Sequence, residues 1–303
     1  MRKQLCDALV DRSVREKDMV FLTGDLGFNA LEPLQHAMGD RFINAGVAEQ
    51  NMITVAAALA AQELEVWVYS IAPFMYARPF EQIRNDICFH HLPVKLIGNG
   101  GGYGYGVMGP THHSIDDYGT LLTLPDITAL VPAFNEDVEA IVSSAGSCDG
   151  PAYLRIGLGE PPAGWIIPPY QPWRELTTGH GPVVIGVGPV AGTYIACFEA
   201  MPAGQRPSLW VVGELPIEQN PIPETLLMKI DSSSRLIVVE EHVRQGSFAS
   251  QLLLNLSERG CPPKAFAHLC ARAHSYGRYG SQQFMRAQSG LDQPTMLSVL
   301  ASV

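Results

Sequence analysis

The chain has 303 residues, 47% hydrophobic and 17% charged, and a formal net charge of −10. That length suits two domains of ordinary size, and the excess of acid argues against nucleic acid, whose phosphates require concentrated Lys and Arg. No uninterrupted apolar run of about 18 residues occurs, so no membrane span is expected. Met1-Arg2-Lys3-Gln4-Leu5-Cys6-Asp7 lacks the apolar core of a signal peptide. Six scattered cysteines (Cys6, Cys88, Cys148, Cys197, Cys261, Cys270) form no Cys-x-x-Cys pair. They read as buried thiols of a reducing compartment, and the cytoplasm is the expected location.

In chain order, Leu5 to Arg15 reads as an amphipathic helix and Met19 to Leu22 as a buried strand leading into Gly24-Asp25-Leu26-Gly27. Gly27 to Gly39 reads as loop and short helix. Phe42 to Val47 reads as a short strand closing at Gly46, after which Glu49 and Gln50 open a helix of small apolar residues, Ile53 to Ala61. An acid in the first turn suits the helix dipole; the same position, at a strand-to-helix turn backed by an apolar helix, can also hold a carboxylate with little water around it.

Val66 to Tyr69 is the next predicted strand, Ala77 to Phe89 a helix with an apolar stripe, and Val94 to Gly98 a further strand. The loop that follows carries seven glycines in the twelve residues from Gly98 to Gly109. Glycine allows positive φ and close backbone approach, but a nucleotide-binding loop would lead straight into a helix, and here Pro110-Thr111-His112-His113 follows. Leu130 to Pro132, the helix Val138 to Ser144 and Ala152 to Ile156 complete an alternation that implies a mostly parallel α/β sheet with helices on both faces. Ligands bind such sheets at the carboxyl ends of the strands.

Residues 1–160 therefore form the first expected domain. Five prolines between Gly159 and Trp173 mark a semi-rigid linker, 161–175. Residues 176–303 repeat the alternation as a smaller α/β domain: Val183 to Val187, Ile195 to Ala200, Leu209 to Val212, Pro223 to Ile230, Leu236 to Glu240 and Phe248 to Leu256.

Five ordered segments carry a resemblance to the transketolase family of thiamine diphosphate enzymes. Ala48-Glu49-Gln50 is similar to the segment whose glutamate bonds the cofactor's aminopyrimidine. Ser70 to Asn85 resembles the segment with the pyrimidine-stacking aromatic, and Gly109-Pro110-Thr111-His112 the active-site histidine loop. Asp149 to Arg155 matches the close of the pyrimidine-binding domain, and Val238-Val239-Glu240-Glu241-His242 with Gly246 the start of the C-terminal domain motif. The resemblance implies a catalytic Glu49, and Phe74 as the stacking ring, with core packing as its ordinary alternative and Tyr69 and Phe80 as substitutes. It implies His112 at the reacting oxygens of the substrate, a role suited to a group that exchanges protons near neutral pH. Arg78 lines the cofactor pocket or pairs with Glu81 or Asp86. His113 divides between substrate contact and structure, Asp116 and Asp117 orient the loop, and His242 divides between active site and support, with support favoured.

The chain also departs from the family. Three positions that carry polar substrate groups in sugar-phosphate transketolases are here Met108, Gly100 and Leu158, and an apolar side chain cannot replace a charge-assisted bond to phosphate. An ordinary pentose phosphate is therefore not the expected substrate. Gly-Asp-Gly, the family's diphosphate and magnesium motif, is absent, which gives Gly24-Asp25 little weight as a metal site. The resemblance thus implies a beta-type subunit of a split enzyme, with thiamine diphosphate and Mg2+ held by an alpha-type partner, an α2β2 assembly and self-association through the beta subunits. The reaction implied moves a two-carbon ketol or acyl unit to an aldehyde or ketone. The alternatives are a beta subunit of a 2-oxo acid dehydrogenase or decarboxylase, and a non-catalytic scaffold subunit.

Overall fold

The computed structural model describes residues 1–272 and 277–302. Its twelve strands fall into two sheets. In the first, β1 (Met19–Thr23), β2 (Phe42–Asn44), β3 (Glu65–Ile71), β4 (Val94–Asn99), β5 (Thr128–Leu130) and β6 (Ala152–Ile156) run parallel in the order β5-β6-β4-β3-β1-β2. The second contains β7 (Trp173–Thr177), β8 (Val183–Val187), β9 (Ser208–Val212), β11 (Leu236–Glu240) and β12 (Phe266–Cys270), ordered β12-β11-β8-β9-β7, with only β7 antiparallel to its neighbour. The remaining strand, β10 (Glu214–Leu215), leaves the second half of the chain and pairs antiparallel with β5, as the seventh strand of the first sheet.

Helices cover both faces of the first sheet, as its mostly buried inner strands demand. Against one face lie α1 (Arg2–Arg15), α2 (Glu32–Met38) and α7 (Val138–Gly146), whose Leu5, Leu9, Leu34 and Ile141 share a core with Phe21, Trp67 and Tyr69. Against the other lie α3 (Glu49–Ala60), α4 (Ala72–Tyr76) and α5 (Phe80–Gln82), the last running into a π turn over Ile83–Cys88; Met52, Ile53, Met75 and Ile83 meet Val66 and Val68 there. That core continues through Ala129, Val131 and Leu215 to Val212 and Val238 of the second sheet, so both sheets share one apolar interior. The others are α6 (Asp117–Leu121), α8 (Ile195–Glu199), α9 (Glu224–Ser232), α10 (Phe248–Glu258), α11 (Gln282–Ser289) and α12 (Gln293–Ala301).

Three expected boundaries move. The helix expected from Ala77 is preceded by α4, which Pro73 starts in its first turn. Pro79, with no N–H to give, then separates α4 from α5. The strand expected to reach Val47 ends at Asn44, because Gly46 turns the chain at φ +71°. The linker expected over 161–175 is shorter, because Trp173–Thr177 joins the second sheet as its edge strand.

Candidate active site

Five of the implicated segments leave carboxyl ends of first-sheet strands. Gly24 follows β1, Glu49 follows β2, Phe74 follows β3, the glycine-rich loop follows β4 and Leu158 follows β6. A parallel sheet gathers residues in this way, because its crossovers return every strand in the same direction.

Glu49, 5% exposed, sits in the first turn of α3. One carboxylate oxygen accepts a 2.8 Å bond from Arg78 Nη1. A Cβ placed on Gly24 would lie 3.8 Å from Glu49 Cγ and 3.7 Å from Ser70 Oγ, so these three residues are neighbours. Ser70 Oγ is buried and makes no hydrogen bond. A buried hydroxyl without a partner costs free energy unless a ligand or water reaches it. Gly24-Asp25 itself forms a turn: Asn44 Nδ2 donates to Asp25 Oδ1 at 2.9 Å and the Asp25 N–H donates back to Asn44 Oδ1. Among the described residues no group of three or more His, Cys, Asp or Glu is placed to hold a metal ion.

Arg78 joins the carboxylate to the rest of the site. Its guanidinium carbon stands 3.7 Å from the centre of the half-buried Phe74 ring, a cation–π contact. Phe74 meets the His112 ring edge-on at 5.3 Å. The His112 ring lies 5.7 Å from that of Tyr105, whose hydroxyl accepts from Asn99 Nδ2 at 2.7 Å. Glu49, Arg78, Phe74, His112 and Tyr105 therefore form one continuous line. Burial, then the Arg78 charge, then His113 lower the His112 pKa below the ordinary histidine value, which keeps the imidazole neutral at pH 7. Arg78 pairs with neither Glu81 nor Asp86; the Asp86 carboxylate instead accepts from Thr54 Oγ1 at 2.8 Å.

The other implicated residues have different surroundings. Tyr69, 2% exposed, packs near Phe21 in the α1-side core, while its neighbour Ser70 borders Glu49. Strand alternation explains the split, since successive side chains point to opposite faces. Tyr69 is thus no substitute for Phe74, and Phe80 packs against the core around Ile83. His113 is buried; its Nε2–H donates to Gly106 O at 2.8 Å and its ring meets Tyr103 edge-on, an arrangement that supports the loop from beneath. His242 is buried as well, stacked on Tyr118 at 4.1 Å; its Nδ1–H donates to Val243 O and its Nε2 accepts the Gly119 N–H. Asp116 accepts from Tyr76 OH, and Asp117 binds Arg155 at 2.8 Å and Tyr153 OH at 2.9 Å.

Met108 and Leu158 are exposed. Gly100 is enclosed: a Cβ there would lie 2.1 Å from the Tyr105 ring, and its φ is +81°. Leu158, Gly100 and Tyr105 border a cleft of about 380 Å³ together with Arg2 and Lys3. Sequence reading overlooked Tyr105, Asn99 and Ser70; Tyr105 alone carried a signal, as a ring within a run of glycines.

The fold and site define a two-sheet α/β chain with an acid, an aromatic and a histidine gathered at the strand ends of a pyrimidine-binding-type sheet. Residues 1–159 match the family model described as transketolase, pyrimidine binding domain, and the chain belongs to the transketolase family. It is 27% identical over 268 residues to the B-type component of the apulose-4-phosphate transketolase from Phocaeicola vulgatus, covering 86% of this chain and 85% of that one. It is 30% identical over 279 residues to 1-deoxy-D-xylulose-5-phosphate synthase 2 from Geobacter sulfurreducens, covering 89% of this chain but 42% of that one. A solved structure titled split gene transketolase, inactive beta4 tetramer, superposes with a TM-score of 0.85 at 26% identity, over 99% of this chain and 96% of the other. These likenesses group the chain with C-terminal-type subunits of split transketolase-like enzymes.

Proposed function

We propose that this chain is the beta-type subunit of a thiamine diphosphate-dependent transferase that moves a two-carbon ketol or acyl unit onto an aldehyde or ketone. An alpha-type partner would carry the diphosphate- and magnesium-binding domain in an α2β2 assembly. The observation that carries this reading is the 5%-exposed Glu49 carboxylate, joined through Arg78 to an aromatic ring and a histidine at the open ends of a parallel sheet. The residues fit the pyrimidine end of the cofactor: Glu49 offers a carboxylate, Phe74 a flat face, and Ser70 a buried hydroxyl in need of a partner.

When bound, thiamine diphosphate supplies a nucleophilic carbon and an electron sink. Glu49 would hold a proton at the pyrimidine nitrogen, in surroundings where few waters compete for it. Phe74 would fix the ring plane. His112, neutral at pH 7, would give or take a proton at the substrate's oxygen. Arg78 borders the same space. The absence of a transmembrane-length apolar helix among the described residues and the six free cysteines suit a chain working in a reducing, cytoplasmic setting.

The exposed apolar Met108 and Leu158, and the Tyr105 ring beside Gly100, support a substrate less charged than an ordinary pentose phosphate. One observation favours a second reading, a phosphorylated substrate: Arg2 and Lys3 border the cleft shared by Leu158 and Gly100, although Lys3 already pairs with Asp7 at 2.6 Å.

Glu49→Gln tests the assignment. Turnover by the assembled complex is expected to fall by about 10²–10⁴-fold with assembly unchanged. Full turnover by the variant would leave the scaffold reading standing.

A further inference from the structure

We propose that Glu241, from the second domain, is a positioning residue for His112: its carboxylate seats the base of the glycine-rich loop that presents the imidazole. This inference rests on the reading of His112 given above.

The loop is closed at its base by paired backbone bonds. The Gly102 N–H donates to Ser114 O at 2.7 Å and the Ser114 N–H donates to Gly102 O at 2.8 Å. Glu241 engages both sides of this closure. Gly102, at φ +65°, runs so close to it that a Cβ would lie 2.9 Å from the carboxylate. The Tyr103 N–H points to Glu241 Oε1 at 3.4 Å. On the Ser114 side, Arg155 Nη2 donates at once to Ser114 O, 2.6 Å, and to the main-chain oxygen of Glu241, 2.9 Å. The next bond continues the seam, from the Val243 N–H to Ile115 O at 2.6 Å.

The carboxylate is itself fixed. Arg286 Nη2 donates to Oε2 at 2.8 Å and Gln282 Nε2 to the same oxygen at 3.1 Å, both from α11. Glu241 is buried, and Arg286 has 11% of its side chain exposed, so the pair is little screened. From α11 the contact extends along the loop: Tyr103 OH meets Ser289 Oγ at 2.9 Å, and Gly106 packs on Gly280 and Gln282 so tightly that a Cβ would clash with backbone. Tyr103 and Ile115 form a small apolar cluster with Ala271 and Met285. The loop between Gly102 and Ser114 thus has its height set from the second domain. His112 leaves that seat towards Phe74, while the adjacent His113 remains beneath. The second domain therefore acts on the site through the seat of this loop.

The test uses the full-length chain with Glu241→Gln and Glu241→Ala, the His112→Ala variant, and the double variant His112→Ala/Glu241→Ala. The first readout is the imidazole NMR signal of His112, assigned by its loss in His112→Ala. In Glu241→Ala it is expected to shift and its titration midpoint to rise towards an ordinary histidine, with Glu241→Gln between the two. The second is turnover by the complex with its diphosphate-binding partner. A catalytic group misplaced by about 1 Å costs up to ~10²-fold, so kcat is expected to fall roughly ten- to a hundredfold in Glu241→Ala, with the KM for thiamine diphosphate little changed. Because Glu241 acts through His112, it is expected to cost nothing further once His112 is alanine.

An unmoved His112 signal in a folded Glu241→Ala, or the same loss of kcat in the His112→Ala background, overturns the proposal. If Glu241→Ala does not fold, Ser289→Ala, which loosens the same seat at Tyr103, replaces it under the same criteria. Full turnover by His112→Ala would refute the role given to His112 while leaving the NMR comparison to decide whether Glu241 sets the loop.

Discussion

Arg78 fills the space between Glu49 and Phe74: one guanidinium nitrogen is 2.8 Å from the Glu49 carboxylate while the group's carbon stands 3.7 Å from the Phe74 ring centre. A flat ring that stacks on Phe74 and bonds Glu49 must displace it. The Arg78 side chain is 46% exposed, so solvent can receive it at modest cost.

Arg78→Ala is accordingly expected to speed association of thiamine diphosphate. The gain should be roughly three- to tenfold, reflecting a half-exposed ion pair and ring contact worth ~1 kcal/mol. Stopped-flow fluorescence of the chain assembled with the proposed diphosphate-binding partner, in the presence of Mg2+, measures it. Slower association would mean that Arg78 holds the cofactor instead of yielding to it.

Gly100 is required by the ring beside it. Gly100→Ala is expected to lower Tm, from the 2.1 Å approach to Tyr105 and the φ of +81°. In a Tyr105→Ala background only the backbone strain remains, of order 1 kcal/mol, so the penalty should shrink. Thermal unfolding of the four proteins in the cycle checks this, and equal penalties in both backgrounds would contradict the packing account.

Asp117 and Arg155 form a pair with 0% and 3% of their side chains exposed. Removing one partner strands a buried charge, at a cost of about 3–5 kcal/mol. Asp117→Ala is expected to lose that much in urea unfolding, whereas a change under about 1 kcal/mol would put the pair in the class of solvent-exposed bridges.

His268 donates from Nε2 to Glu240 at 2.8 Å. Burial opposes its charge, but bonds to Cys270 and Glu240 and the Glu240 charge outweigh burial and push its pKa up to about 9. A raised folded value means that the charged histidine stabilises the fold fully below about pH 6.5, its unfolded value, and that this contribution disappears as pH rises through about 9. The advantage of wild type over His268→Gln, up to about 3 kcal/mol, should therefore narrow across that window. Lys95, lowered to about 8 by burial, acts in the opposite direction above pH 8 in both proteins, so the difference between them is the quantity to follow. A difference that does not vary with pH would refute the assignment.

Much of the fold was legible because periodicity and punctuation are local. Alternating apolar segments gave the mostly parallel sheets, and Ala48-Glu49-Gln50 and Pro110-Thr111-His112 marked two of the site's corners. Local pattern misplaced the boundaries at Pro73, Pro79 and Trp173, and it gave no sign that Glu214 and Leu215 cross to the first sheet, since pairing with β5 is a long-range choice.

The sequence by itself determined which chemical groups this protein has and roughly which strand end each one follows. Only the tertiary structure decided their company. It put Tyr69 and Ser70, adjacent in the chain, on opposite faces of a strand, gave Arg78 to Glu49 over the nearer Glu81, and set Glu241 beneath a loop 138 residues away from it at Tyr103. A side chain's partners depend on which surfaces packing brings together, and a buried charge or hydroxyl takes whichever partner the completed core leaves within reach.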